Sequence, residues 1–416
     1  MDTFVIDGGK PLRGSIAISG SKNAALPILI ATLLTDEPCR ISNVPDLRDI
    51  RTTLKLLERL GKKVETRGNT VSIKALRPLK TTAPYDLVKQ MRASVLVAGP
   101  LLARYGRARV PLPGGCAIGL RPVDIHLQGF ENMGAWKGYE HGDILLKAEK
   151  LKPAAVTLRY PSVGATENLM MAACLVPGKT RILNAAREPE IEDLACFLNG
   201  MGAKITGAGR STIDIRGAAS LRGVDHRVIP DRIETGTFLI AAAATGGRVR
   251  LEGASGRDLK ALIGGLRRAG AVIREDSNGL LLDMPSRPKP VSIATAPHPG
   301  FPTDLQAPWM SLMGLAKGNC RNKESVFENR FLHAAELSRM GAQIRVSGGT
   351  ARVMGRRQLH GAPIMASDIR AGAALLVAAL AAKGRSELQR VYHIDRGYER
   401  VESKLRKLGA RIRRLR

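Results

Sequence analysis

The chain has 416 residues, too long for one ordinary core, which points to two or more domains, and its hydrophobic content of 44% is normal for a globular protein. Lys and Arg number 65 against 37 Asp and Glu, a formal net charge of +28, but the basic residues are spread along the chain. Aromatic residues make up only 4%, a poor supply of base-stacking side chains, so nucleic-acid binding is not expected.

In chain order, Met1 to Lys10 lacks the basic start, apolar stretch and cleavage site of a secretory signal. Thr3–Ile6 reads as a short strand. Ser21-Lys22-Asn23 then opens an apolar segment, Ala24–Leu34, whose lack of a polar face predicts a helix buried on all sides. Leu47–Leu60 is different: Ile50, Leu54, Leu57 and Leu60 form one stripe, with basic residues elsewhere, before Gly61 and a strand. This pair of helices recurs. Lys89-Gln90-Met91-Arg92 opens Ala93–Ala103, with the matching glycine at Gly134. Ser162 to Thr166 opens Ala165–Leu175, with Gly202. Asp231-Arg232 opens Gly236–Ala244, with Gly270. Thr303-Asp304 opens Ala307–Ala316, with Gly341, and Ser367 to Arg370 opens Ala371–Ala382, with Gly409.

The six glycines are 68 to 73 residues apart. Glycine after an amphipathic helix serves a left-handed C-cap, because it has no Cβ to clash. Ala371–Ala382 has 12 residues, short of the roughly 20 that a membrane span needs. The repeats predict an α/β chain of two domains with three units each. The boundary is expected near Gly223–Pro230, and the Thr3–Ile6 strand is expected in the second domain. Five cysteines, Cys39, Cys116, Cys174, Cys196 and Cys320, and seven histidines show no metal or redox spacing, so a reduced cytoplasmic setting and no metal are expected.

The buried helices share a polar or charged opening. Helix N-termini carry unpaired N–H groups and partial positive charge, so convergent ends form an anion site. Plain N-capping accounts equally for Ser, Thr and Asp there. It does not account for Lys22, Arg92, Arg232 and Arg370, whose charge opposes the dipole, and these suggest a strongly anionic ligand. Pro111 to His126, P-L-P-G-G-C-A-I-G-L-R-P-V-D-I-H, reads as a glycine- and proline-rich loop around Cys116. Beside Arg121, its thiol can act as proton donor, proton acceptor or nucleophile.

That loop resembles the lid of the UDP-N-acetylglucosamine 1-carboxyvinyltransferase family, the enolpyruvyl transferases of peptidoglycan synthesis. Further similar segments follow in order over nearly the whole chain. They include S-G-S-K-N-A-A-L-P-I-L at Ser19, Y-D-L-V-K-Q-M-R-A-S at Tyr85, P-S-V-G-A-T-E-N at Pro161, N-A-A-R-E-P-E-I at Asn184 and P-D-R-I-E-T-G-T-F at Pro230. The series ends with A-P-H-P-G-F-P-T-D at Ala296, V-F-E-N-R-F at Val326, E-L-S-R-M-G-A at Glu336 and H-I-D-R-G-Y-E-R at His393.

The resemblance implies the two-domain inverse α/β barrel of the enolpyruvyl transferases, with buried inner helices. Residues 20–228 would form the first domain, carrying the lid loop 111–122. Residues 1–19 and 229–416 would form the second, with the active site in the cleft. The implied reaction joins the enolpyruvyl group of phosphoenolpyruvate to the sugar of UDP-N-acetylglucosamine, without a cofactor. Cys116 would be the lid general acid, which in the family also forms an adduct with phosphoenolpyruvate and is alkylated by fosfomycin. Lys22, Arg121 and Arg396 would hold phosphoenolpyruvate, and Asp304 would take the proton from the sugar 3-hydroxyl. Asn23, Arg92, Val326 and Arg330 match positions around the sugar and the active site. Arg121, Pro122, Val123, Asp124 and Ile125, with Ser162, Val163 and Gly164, match the uridine diphosphate region. Asp368 and Arg370 match further polar positions. A monomer is expected.

Two stretches depart from the family pattern: Gly134 to Tyr139, and Asn319 to Lys323, which is more polar than the strand expected there. The alternatives to this reading are the sister transferase acting on shikimate 3-phosphate, and an inactive basic paralogue. The P-G-G-C loop and the R-P-V-D segment argue against the first, and the set Lys22, Cys116, Asp304 and Arg396 against the second.

Overall fold

The computed structural model describes residues 2–76, 78–112 and 123–415, with Arg92 described by its backbone alone. Its described residues divide into two compact units, one built from 20–112 and 123–229, the other from 2–19 and 230–415. They are called here the N-terminal and C-terminal units.

Among the described residues each unit has three sheets. In the N-terminal unit Cys39–Ser42 lies between Asp225–Arg227 and Thr70–Ala75. Thr70–Ala75 shows why such segments become strands: Val71 and Ile73 are buried while Ser72 and Lys74 face solvent, the period-two pattern of a half-buried sheet. In the C-terminal unit Thr3–Asp7 pairs antiparallel with both Arg385–Gln389 and Arg411–Leu415, and Arg13–Ala17 runs parallel to Arg248–Glu252. The start of the chain therefore completes two sheets of the later unit.

Five of the six inner helices are buried along nearly their whole length: Lys22–Ala31, Val163–Ala173, Arg232–Ala244, Thr303–Met313 and Ile369–Ala381. The sixth differs from the sequence reading. The segment expected as a helix over Ala93–Ala103 is a 3₁₀ turn at Arg92–Val97 and an α-helix only over Ala98–Tyr105. Pro100 is the third residue of that α-helix, where the N–H has no intrahelical partner. Pro27 and Pro308 sit inside their helices, each as the sixth residue. Neither has an N–H to give to the carbonyl four places earlier, that of Asn23 and of Asp304 respectively.

The outer helices are Arg48–Leu60, Asp124–Asn132, Pro189–Gly200, Lys260–Ala269, His333–Arg339 and Val401–Lys407. The glycines that follow them have φ of 118°, 88°, 109°, 109°, 89° and 86°, the left-handed conformation that the sequence pattern requires.

Both departures from the family pattern form strands. In Trp136–Glu140 the Trp136 ring folds over Gly138, where a Cβ would lie 2.3 Å from the indole. The ring is then covered by Lys147, whose Nζ is 5.6 Å from its centroid. Asn319–Lys323 turns Asn319, Arg321 and Lys323 outward and buries Cys320 and Asn322.

Candidate functional site

Asp304 is the second residue of the Thr303–Met313 helix, and two arginines from distant segments converge on it. Arg330 Nη2 donates to Oδ1 at 2.5 Å, and Arg370 Nη2 donates to Oδ2 at 3.2 Å. The arginine side chains are 3% and 8% exposed, that of Asp304 27%. Each carboxylate oxygen thus faces a buried guanidinium, and the group keeps accessible surface for a further donor. Burial works against the Arg370 charge, but Asp304, Tyr398 and Asp231 outweigh it and hold its pKa above the ordinary value. A carboxylate fixed in this way accepts protons only, in a set orientation.

Three other expected residues, Asp368, Arg396 and Val326, belong to the same unit. Asp368 caps the Ile369–Ala381 helix, accepting from the N–H groups of Arg370 at 2.9 Å and Ala371 at 3.0 Å. Arg396 closes the 3₁₀ segment Val391–Arg396 and is half-buried. Val326 donates its N–H to Glu324 Oε1 at 2.8 Å.

In the N-terminal unit Lys22 is the first residue of its helix. Its side chain is only 9% exposed, with Nζ 3.4 Å from Asp49 Oδ2. Ser21 caps the same helix by accepting from Ala24 N–H at 3.3 Å. Asn23 is half-buried beside Lys22, and the backbone of Arg92 begins a 3₁₀ turn packed on this helix.

The segments expected around uridine diphosphate come together as two adjoining helix starts. Val123 precedes Asp124–Asn132, which carries Ile125, and Ser162 caps the helix that opens with Val163 and Gly164. Arg159 forms an ion pair with Asp124. His126 is buried, hydrogen-bonds Asn168 at 3.1 Å, and lies 3.2 Å from where a Cβ on Gly164 would stand. Cys116, Arg121 and Pro122, with most of the lid loop, lie outside the described residues.

The model of the EPSP synthase family (3-phosphoshikimate 1-carboxyvinyltransferase) matches residues 6–405. The UDP-N-acetylglucosamine 1-carboxyvinyltransferase of Elusimicrobium minutum is 54% identical over 99% of this chain and 98% of its own length. The enzyme of the same name from Nitratidesulfovibrio vulgaris strain DP4 is 55% identical over 100% of this chain and 99% of its own. The chain belongs to the UDP-N-acetylglucosamine 1-carboxyvinyltransferases, within the EPSP synthase family. Among solved structures, the enolpyruvyl transferase NikO from Streptomyces tendae superposes with a TM-score of 0.89 at 27% identity, covering 99% of this chain and 98% of that one. An EPSP synthase from Acinetobacter baumannii shares the fold, with a TM-score of 0.79 at 17% identity and 100% coverage of both chains.

Three residues around Asp304 carry no role in the family reading. Tyr398 lies within the H-I-D-R-G-Y-E-R segment, and its buried hydroxyl meets Arg370 Nη1 at 3.1 Å and Thr237 Oγ1 at 2.9 Å. Thr303 accepts from Arg330 Nε at 3.3 Å, and Glu324 accepts from Thr303 at 2.9 Å. The signal for Glu324 was a lone carboxylate just before V-F-E-N-R-F, which nothing distinguishes from a solvated charge in sequence. In the N-terminal unit Glu167 and Glu190 are both buried. Burial, followed by the charges of Glu190 and Glu188, pushes the Glu167 carboxyl well above the usual range.

Proposed function

We propose that this chain transfers the enolpyruvyl group of phosphoenolpyruvate to the 3-hydroxyl of UDP-N-acetylglucosamine and releases phosphate, the first committed step of peptidoglycan synthesis. Full-length identity of 53–55% to six curated enzymes of that name carries the reading. The two-arginine clamp orients the Asp304 carboxylate and leaves it accessible to a further donor.

Lys22, Arg121 and Arg396 neutralise the phosphate and carboxylate of phosphoenolpyruvate. Cys116 gives a proton to the methylene carbon as the sugar oxygen bonds to the neighbouring carbon, and Asp304 takes the proton of that hydroxyl. The tetrahedral adduct then loses phosphate and a methyl proton, which restores the vinyl group as an enol ether. Asn23, Arg92, Val326 and Arg330 orient the sugar. Val123 to Ile125 and Ser162 to Gly164, with Arg121 and Pro122, hold the uridine diphosphate. Asp368 and Arg370 support the cluster. The enzyme acts as a cytoplasmic monomer. The four described cysteines are free thiols, in keeping with a reducing compartment. No helix among the described residues is long and apolar enough to cross a membrane.

The test is phosphate release from phosphoenolpyruvate, with and without UDP-N-acetylglucosamine, for the wild type and Asp304→Ala. Release that needs the nucleotide sugar and is lost in the variant is the expected result. Release with shikimate 3-phosphate instead would assign the chain to the sister activity, and no release from a wild type that binds both substrates would refute the enzyme reading.

A further inference from the structure

Glu324 is 5% exposed and follows the Asn319–Lys323 strand directly. Its carboxylate accepts four hydrogen bonds, all from neutral donors. Oε1 takes the Thr295 hydroxyl at 2.9 Å, the Val326 N–H at 2.8 Å and the Phe327 N–H at 3.1 Å, and Oε2 takes the Thr303 hydroxyl at 2.9 Å. A buried carboxylate satisfied by neutral groups is expensive to keep, and a neutral side chain of the same shape would fill the space. What only the carboxylate supplies is acceptors on both oxygens.

That property sets the direction of the next bonds. Thr303 has one proton and gives it to Glu324, so its oxygen presents lone pairs to Arg330 Nε at 3.3 Å. The same guanidinium reaches Asp304 Oδ1 through Nη2. Because the guanidinium is planar and rigid, holding Nε also fixes where Nη2 points.

We propose that Glu324 is a positioning residue for the base. Through Thr303 it sets the rotation of the Arg330 guanidinium and so the aim of the Asp304 carboxylate. Its bonds to Val326 and Phe327 hold the loop bearing Val326 in the same frame. One acceptor-only group thereby couples the start of the Thr303–Met313 helix to the loop leading to Arg330. Glutamine there turns an N–H₂ toward one set of partners, and the Thr303 hydroxyl must then reverse and compete with Arg330.

The inference rests on Asp304 being the base of the proposed reaction, so the test includes Asp304→Ala. Full-length Glu324→Gln, Thr303→Val, Thr303→Ser and the Glu324→Gln/Thr303→Val double variant are compared for kcat, KM and the pH dependence of kcat. Glu324→Gln and Thr303→Val are each expected to lower kcat by about 10- to 100-fold, with KM for phosphoenolpyruvate within about twofold, as for loss of a charge-linked bond felt in the transition state. Both should move the acid limb of the pH profile. Thr303→Ser should restore most activity, and the double variant should be no worse than Thr303→Val, because the two act in one chain. If Glu324→Gln does not fold, Thr303→Val decides, since it keeps the volume and the three other bonds to Glu324. Wild-type kcat and pH profile in Thr303→Val, with Asp304→Ala inactive, overturns the positioning role and leaves the base in place. Full activity in Asp304→Ala overturns both.

Discussion

Arg370 and Tyr398 meet in the interior of the C-terminal unit. Arg370 Nη1 donates to the phenol oxygen at 3.1 Å, and the guanidinium carbon lies 5.7 Å from the ring centroid. Since Arg370 also holds Asp304, the phenol fixes one end of a guanidinium whose other end works on the candidate base. Tyr398→Phe leaves a buried N–H and the Thr237 hydroxyl short of a partner. It is expected to lower stability by about 1–3 kcal/mol and to reduce kcat several-fold. Urea unfolding and steady-state kinetics check this; an unchanged midpoint would count against the contact.

Two buried groups of the same unit act on stability in opposite directions with pH. Burial pushes the Glu234 carboxyl from 4.5 up to about 7, although Lys404 opposes it from 2.6 Å. Burial lowers His333 from 6.5 to about 4. Between about pH 4.5 and 7, folded Glu234 keeps a proton that the unfolded chain has lost, so its contribution falls as pH rises. Between about pH 6.5 and 4, the unfolded chain binds a proton that folded His333 refuses, so its contribution falls as pH drops. Each slope is at most about 1.4 kcal/mol per pH unit, and over the shared window they cancel. Glu234→Gln should therefore expose stability that rises with pH, and His333→Phe stability that falls with it. Parallel stability-pH curves for all three proteins would refute the pairing.

Arg321, Arg352 and Arg345 stand directly opposite one another on three neighbouring strands, and all are exposed. Like charges in register repel. Arg352→Thr is expected to raise stability by about 0.5 kcal/mol at low ionic strength, with the gain shrinking as salt is added. Thermal melts at two salt concentrations measure this, and a loss of stability at low salt would contradict it.

Thiol reactivity should separate the cysteines. Cys196 is exposed, whereas burial raises Cys39 and Cys174 and pushes Cys320 up to about 11. In a Cys116→Ser background at neutral pH, a maleimide should label Cys196 promptly and spare the three buried thiols until denaturant is added. Mass spectrometry of native and unfolded samples reads the result; rapid native labelling at Cys174 would contradict it.

The repeat was legible because it rests on backbone needs. Gly61, Gly134, Gly202, Gly270, Gly341 and Gly409 all take positive φ, and only glycine does so without strain. The inner helices were legible from their lack of a polar face, with an error at Arg92–Val97, which is 3₁₀, since an apolar count does not separate the two helix types. In the site, Asp304, Arg330 and Arg370 were named from motifs and the fold brings them together. Glu324 and Tyr398 were not named, and Thr303 was read only as part of a helix opening, because their importance lies in whom they touch. Thr303 and Glu324 are 21 residues apart in sequence, and no local pattern reports that distance. For the same reason Arg414, rather than a neighbour, is a partner of Asp395, at 2.6 Å.

Pro27 and Pro308 have a consequence that reaches beyond packing. Each removes one rung from the hydrogen-bond ladder of its helix, opposite the carbonyl of Asn23 in one unit and of Asp304 in the other. In each helix a main-chain oxygen next to a side chain assigned to the reaction thereby loses its usual donor four residues on. The polar character of these helix starts is written partly in a residue whose own side chain has no polar atom. Replacing Asn23 or Asp304 leaves that oxygen where it was, so a scan of side chains alone overlooks it, and only the prolines give access to it.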